Sequence, residues 1–203
     1  MKTWWQELFD YLVKLAVQPP GPYAGSVVKD IGWTGHDGMA DQAEARARLL
    51  AAGEALVEDP ELKSHDTDGK PGLETFCNWG VRRLAVQIVG YHGFDGKPPN
   101  EALTANEIMA LCESSPLFRE DSSERAAAHA DRGGYCVAGA SEHPHGHVAT
   151  VMPGILTHSG QWGGRWPLVA NIGKAGSNGI KPANFAFTKE LKPRFFLYQP
   201  EDA

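Results

Sequence analysis

The chain has 203 residues, a formal net charge of −6 and a hydrophobic content of 42%, enough for one domain with a real core and a short elaboration. The acidic balance and the lack of any long basic run exclude a sequence-wide electrostatic footprint for nucleic acid, and no run approaches the ~18–20 apolar residues that cross a bilayer. Three cysteines make no disulfide framework, and an odd count leaves at least one free thiol. Glu7, Asp10 and Lys14 interrupt the apolar stretch that a signal peptide needs, so the chain is expected to be made as a soluble cytoplasmic protein.

Residues 3–16 read as an amphipathic helix with Trp5, Phe9, Leu12, Val13 and Ala16 on one stripe, ended by Pro19 and Pro20. Its polar face carries acids as well as lysines, which favours docking to a core over a membrane surface. A Gly/Pro-rich connector over 18–38 leads to a second helix over 40–57, which stops before Asp59-Pro60. Residues 58–73 are a polar loop. Within it Asp66-Thr67-Asp68-Gly69 starts like a calcium loop, but Lys70 stands where an acid or Asn is needed, so a turn is expected.

Glu74-Thr75-Phe76-Cys77-Asn78-Trp79-Gly80 opens the stretch around which the chain is organised. Cys77, Val81, Leu84, Ala85, Ile88 and Val89 form the i, i+4, i+7, i+8 stripe of a core-facing helix, with Thr75 as N-cap and Gly90 as stop. Cys77 then lies in the first turn, where unpaired N–H groups and the helix dipole favour a thiolate. Gly80 either gives clearance beside a groove or serves packing. After a loop over 91–103, Thr104-Ala105-Asn106-Glu107 is a capping box opening a short helix through Cys112, whose thiol is expected to be structural. Residues 122–132 form one more helix, stopped by Gly133-Gly134.

The period then changes to alternation. Strands are expected over 135–140, 146–152, 167–172, 184–188 and 194–198, with His147, Ala149 and Val151 on one face of the second and Val169 and Asn171 sharing a face of the third. The short connections suit an antiparallel meander. The fold class is α+β: N-terminal helices packed on an antiparallel sheet of about five strands. Residues 1–60 are assigned to a helical extension and 61–203 to the main domain.

A cysteine nucleophile needs a base and a third group that holds the base in the right tautomer. His147 opens a strand after a glycine, where a ring can reach a neighbouring helix end. Asn171 lies in the otherwise apolar stretch Leu168-Val169-Ala170-Asn171-Ile172 and needs a partner or costs about 1–3 kcal/mol; the His147 ring is one. Trp79 can flank the thiol, and Trp162 and Trp166 can line a substrate groove or pack in the core.

The ordered set Thr75-Phe76-Cys77-Asn78, Thr104-Ala105-Asn106-Glu107, Gly146-His147-Val148-Ala149-Thr150-Val151 and Val169-Ala170-Asn171-Ile172 resembles the papain-like NlpC/P60 and CHAP peptidoglycan hydrolases, including phage endolysins. The resemblance covers roughly residues 70–198. It implies an NlpC/P60-type fold over 61–203 and a cysteine peptidase or amidase, with Cys77 as nucleophile, His147 as general base and Asn171 as orienting residue. The substrate would be the peptide part of peptidoglycan, cut as an endopeptidase or an N-acetylmuramoyl-L-alanine amidase cuts it. No cofactor and no metal are implied. Family members vary in the third residue among Asn, Glu and His. The protein would reach the wall after holin-dependent release or through a specialised secretion apparatus, and the second route implies an immunity protein as partner. No nucleic-acid or membrane partner is expected.

Two other readings stay open. His143-Pro144-His145-Gly146-His147 places three imidazoles at alternate positions, a possible zinc set for a metal-dependent wall hydrolase. A non-catalytic wall-binding or partner-binding module on the same fold is the other.

Overall fold

The structure is a computed structural model and describes residues 38–63, 76–97, 102–173 and 177–200. The expected helix at 3–16, most of the connector after it, the calcium-like turn at 66–69 and Thr75 lie outside the described residues. Residues 40–203 form one compact unit.

Three N-terminal helices lie on a six-stranded, wholly antiparallel open sheet. Helix α1 spans Gly38–Glu58 and is followed by a 3-10 turn at Pro60–Leu62. It contributes Leu49, Ala52 and Leu56 to the same core as the sheet, so residues assigned by sequence to the extension belong to the compact unit. Helix α2 runs Cys77–Val89 with Phe76 at its N-cap and no side-chain cap bond. The cap is thus one residue later than the Thr75 expected from sequence. Gly90 ends the helix at φ 64, a left-handed conformation that glycine adopts without a Cβ penalty. Helix α3, Ala105–Ser114, carries both halves of the capping box between Thr104 and Glu107. Helix α4, Ser123–Asp131, is capped by the Ser122 side chain.

The strands are β1 Phe118–Asp121, β2 Cys136–Ala140, β3 His147–His158, β4 Arg165–Asn171, β5 Gly179–Pro182 and β6 Arg194–Tyr198, in the order β1-β6-β2-β3-β4-β5. The expected meander holds for β2, β3 and β4, and β5, a strand not expected from sequence, continues it. Strand β6 instead returns to pair with β2, and β1 adds outside it. Sequence reading missed β1 because Phe-Arg-Glu-Asp has one apolar residue. Its charges suit an exposed edge, where Arg194 bonds Glu120. The strand expected at 184–188 is corrected to a helical turn, α5, Ala183–Ala186, with the strand β5 just before it. Pro182 lacks an N–H, which suits an edge strand and closes it there. Strand β3 runs six residues beyond its expected end, through an irregularity between Met152 and Thr157 that absorbs Pro153.

Alternation along β2, β3 and β4 supplies the apolar face beneath the helices. Gly53 of α1 comes against Met152 and Ala170, and Gly80 of α2 against Ile172 and Leu56. A Cβ at Gly80 would lie 2.8 Å from Ile172 Cγ1 and 3.3 Å from Leu56 Cδ2. Packing between α1, α2 and the end of β4 therefore accounts for Gly80. A Gly80→Leu substitution is expected to lower stability by about 1–3 kcal/mol through overpacking, measured as a lowered midpoint of thermal unfolding.

Candidate active site

The α2 stripe buries one face and brings the helix start to the sheet, so Cys77, its first residue, reaches β3 at the residue after His147. The sulfur lies by the backbone N–H of Val148 and by those of Asn78 and Cys77 itself. These N–H groups favour the thiolate, but burial outweighs them and raises the Cys77 pKa above the ordinary thiol value. The expected helix-start thiolate is therefore a neutral thiol in the resting protein.

His147 is the first residue of β3. The β3–β4 register sets Thr150 opposite Ala170, so Asn171 falls opposite Ala149 and diagonal to His147 on the same face, within side-chain reach. His147 Nε2 is 2.8 Å from Asn171 Oδ1, and Asn171 is 3% exposed. The amide's other end is fixed too, because Asn171 Nδ2 donates to the Ser177 carbonyl at 2.8 Å. A carbonyl only accepts, so the NH2 must face Ser177 and the oxygen must face the ring. Nε2 then carries the proton, which leaves Nδ1 with its lone pair as a base. Burial lowers the His147 pKa, while the bond to Asn171 works in the opposite direction. The imidazole is neutral at neutral pH. Phe187 covers it, with ring centroids 4.9 Å apart.

No hydrogen bond joins Cys77 Sγ to the imidazole among the described residues. The thiol's contact with β3 is the Val148 backbone, next in the chain to His147. Catalytic hydrogen bonds in ligand-free structures are often long and tighten only around substrate.

The segment leading into His147 is tied down from α3. Asn106 Nδ2 donates to Glu142 O at 2.9 Å and to Pro144 O at 3.4 Å, and Asn106 Oδ1 accepts from Glu142 N at 3.3 Å. A Cβ on Gly146 would lie 2.3 Å from Asn106 Oδ1, so the approach needs glycine. Sequence reading quoted Asn106 and Gly146 as motif residues without this role. It missed Ser177, for which a carbonyl acceptor leaves no sequence signal, and Phe187, which it placed in a strand.

A groove of about 320 Å3 is lined by Asn78, the residue after Cys77, and by Trp79, Lys97, Leu103, Thr104 and Glu107 among others, while Cys77, His147 and Asn171 are not part of its lining. Trp79, which packs edge-on against Phe76 at 5.4 Å, forms one wall of this groove. Trp162 and Trp166 do not join the site. They form a T-shaped pair at 5.2 Å at the start of β4, and Trp166 also meets Phe195. Five residues of extended strand, roughly 16 Å, separate Trp166 from Asn171. His143 and His145 are exposed, and no three His, Cys, Asp or Glu side chains among the described residues gather to hold a metal ion. The three-imidazole arrangement behind the zinc reading is not formed.

No family model matches the chain, and no curated protein matches it.

The three thiols differ in reach: Cys77 is 6% exposed, Cys112 1% and Cys136 0%. Burial pushes Cys112 up to about 12, with Glu113 adding to it, and raises Cys136 well above the thiol range. Iodoacetamide is expected to label Cys77 first but slowly at pH 7, with the rate climbing as pH passes the ordinary thiol range. Peptide mass mapping over a pH series checks both points, and faster labelling of Cys112 or Cys136 would count against the site.

Proposed function

We propose that the chain is a thiol hydrolase of the papain-like NlpC/P60 or CHAP type that cleaves an amide bond in the stem peptide of peptidoglycan. The observation that carries this reading is the chain His147 Nε2–H to Asn171 Oδ1, with Asn171 Nδ2 on Ser177 O, set beside a cysteine at a helix start. That arrangement is the general one for an activated nucleophile: a base, held in one tautomer, next to a thiol. The substrate class rests on the resemblance of the four ordered motifs.

In this mechanism the Cys77 thiol gives its proton to His147 Nδ1 as the sulfur attacks the carbonyl carbon. The tetrahedral oxyanion is met by the N–H of Cys77 at the start of α2. Collapse breaks the C–N bond, and the imidazolium gives its proton to the leaving amine. A thioester remains on Cys77. Water, deprotonated by His147, then attacks it, which releases a carboxyl product and restores the thiol. The groove beside Trp79 holds the substrate on one side of the scissile bond. The enzyme acts on the wall after release through a holin or export by a specialised apparatus, and in the second case it has an immunity protein as partner.

Purified sacculi test this directly. The native protein is expected to release muropeptides whose masses identify the cut amide, and chelators are expected to leave the rate unchanged. Cys77→Ala and His147→Ala should abolish release in folded protein, while His143→Ala and His145→Ala keep most of it. Equal loss from all three histidine variants would favour a metal enzyme.

The pH profile gives an independent check. His147 must be neutral to act, and its pKa lies below the ordinary histidine value, so kcat/KM should rise with pH through a midpoint below about 6.5. Asn171→Ala removes the bond that stabilises the imidazolium. It should lower turnover by less than loss of Cys77 or His147 does and move that limb to lower pH. Asn171→Asp should move it to higher pH. A limb that stays in place in both variants would remove Asn171 from the site.

A further inference from the structure

The support of the imidazole does not stop at Asn171. Its NH2 group rests on the Ser177 carbonyl, and that carbonyl also accepts a hydrogen bond from Lys181 Nζ. A carbonyl oxygen has two lone pairs, and these two donors use both. Lys181 reaches it because β5 pairs with β4 in a register that sets Lys181 opposite Val169 and Gly179 opposite Asn171. Alternation then puts Lys181 on the face that carries Asn171. Asn178, the residue after Ser177, is held from the other side. Asn178 Oδ1 accepts from Gly173 N at 3.0 Å, and Asn178 Nδ2 donates to Leu62 O at 3.1 Å. Leu62 is fully buried in the core, so this bond anchors Asn178, next to Ser177, to the turn after α1. The fit is tight: a Cβ on Gly173 would lie 2.4 Å from Ser177 Oγ and 3.2 Å from Asn171 Nδ2.

We propose that Lys181 and Asn178 are positioning residues that hold the Ser177 carbonyl in place and, through the Asn171 amide, lock His147 in the Nε2–H tautomer. Were the carbonyl displaced, the hydrogen bond that fixes which end of the amide is nitrogen would be lost. A flipped amide would offer a donor to Nε2, favour the Nδ1–H tautomer and remove the lone pair that faces the nucleophile side. Lys181 acts at two removes from the ring and touches no substrate. Arginine should serve in its place, because a guanidinium also donates to a carbonyl.

This inference rests on the proposed role of His147, but its test does not use the reaction. Nitrogen-15 NMR of the histidine rings in the resting full-length protein reads the tautomer and the titration of His147. The native protein is expected to show one tautomer, protonated at Nε2. Lys181→Met should give a mixed tautomer and a titration midpoint displaced to lower pH, as the bond to Asn171 weakens. Lys181→Arg should restore the native signals. If Lys181→Met does not fold, Asn178→Ala is read in the same way. A single Nε2–H tautomer and an unmoved midpoint in a folded Lys181→Met or Asn178→Ala protein would overturn the proposal. Intact sacculi in the presence of a native protein with the expected tautomer would sink the functional reading and leave this one standing.

Discussion

The hydrogen bond between His147 Nε2 and Asn171 Oδ1, at 2.8 Å, is the interaction to which the rest of the site is adjusted. It exists because β3 and β4 pair in a register that sets residues 147 and 171 on one face, two positions off the direct pairing. An asparagine buried at a strand end costs free energy unless both ends of its amide are satisfied. Here the ring satisfies one end and the Ser177 carbonyl the other. The same requirement that stabilises the buried amide therefore dictates the tautomer of the imidazole. Fold stability and site chemistry share one constraint at this point.

The thiol is governed by the competition between desolvation and the helix start. The N–H groups of Val148, Asn78 and Cys77 draw charge toward the sulfur, yet burial prevails. With the imidazole also neutral, the resting site is a thiol and a base rather than an ion pair. In the proposed mechanism proton transfer then accompanies attack. This fits the role proposed for Cys77, a buried thiol that stays inert until a substrate carbonyl and the oxyanion donor share the developing charge.

Much of the fold was legible in the sequence because its periodicities are clean. The α2 stripe, the Thr104–Glu107 capping box and the Gly133-Gly134 stop fix helices by rules that act within one or two turns. The β2, β3 and β4 segments announce themselves by alternation. Their pairing carried the His147–Asn171 contact, which a polar residue in an apolar strand signals by needing a partner. Failures came where the rule is non-local. Strand β1 is charged and gains its place only from pairing with β6. Pro182 ended a strand, and the aromatic stretch after it became a helical turn over Ala183–Ala186. Trp162 and Trp166 looked like groove residues because chain proximity to the His and Asn strands says nothing about which end of β4 they occupy. The backbone carbonyl of Ser177 has no side-chain signature at all. Cys77 was legible in place but not in charge state, since desolvation depends on what α2 is packed against.

The most direct measurement of the central claim, that Cys77 forms a covalent acyl intermediate, is an acid quench during turnover. The protein would be mixed with soluble peptidoglycan fragments, stopped within the first turnovers and mapped by peptide mass. The account requires a thioester adduct on the peptide containing Cys77, carrying the acyl half of the cleaved stem peptide and missing in Cys77→Ala. Continued hydrolysis with no adduct on Cys77, or with cleavage intact in Cys77→Ala, would contradict it.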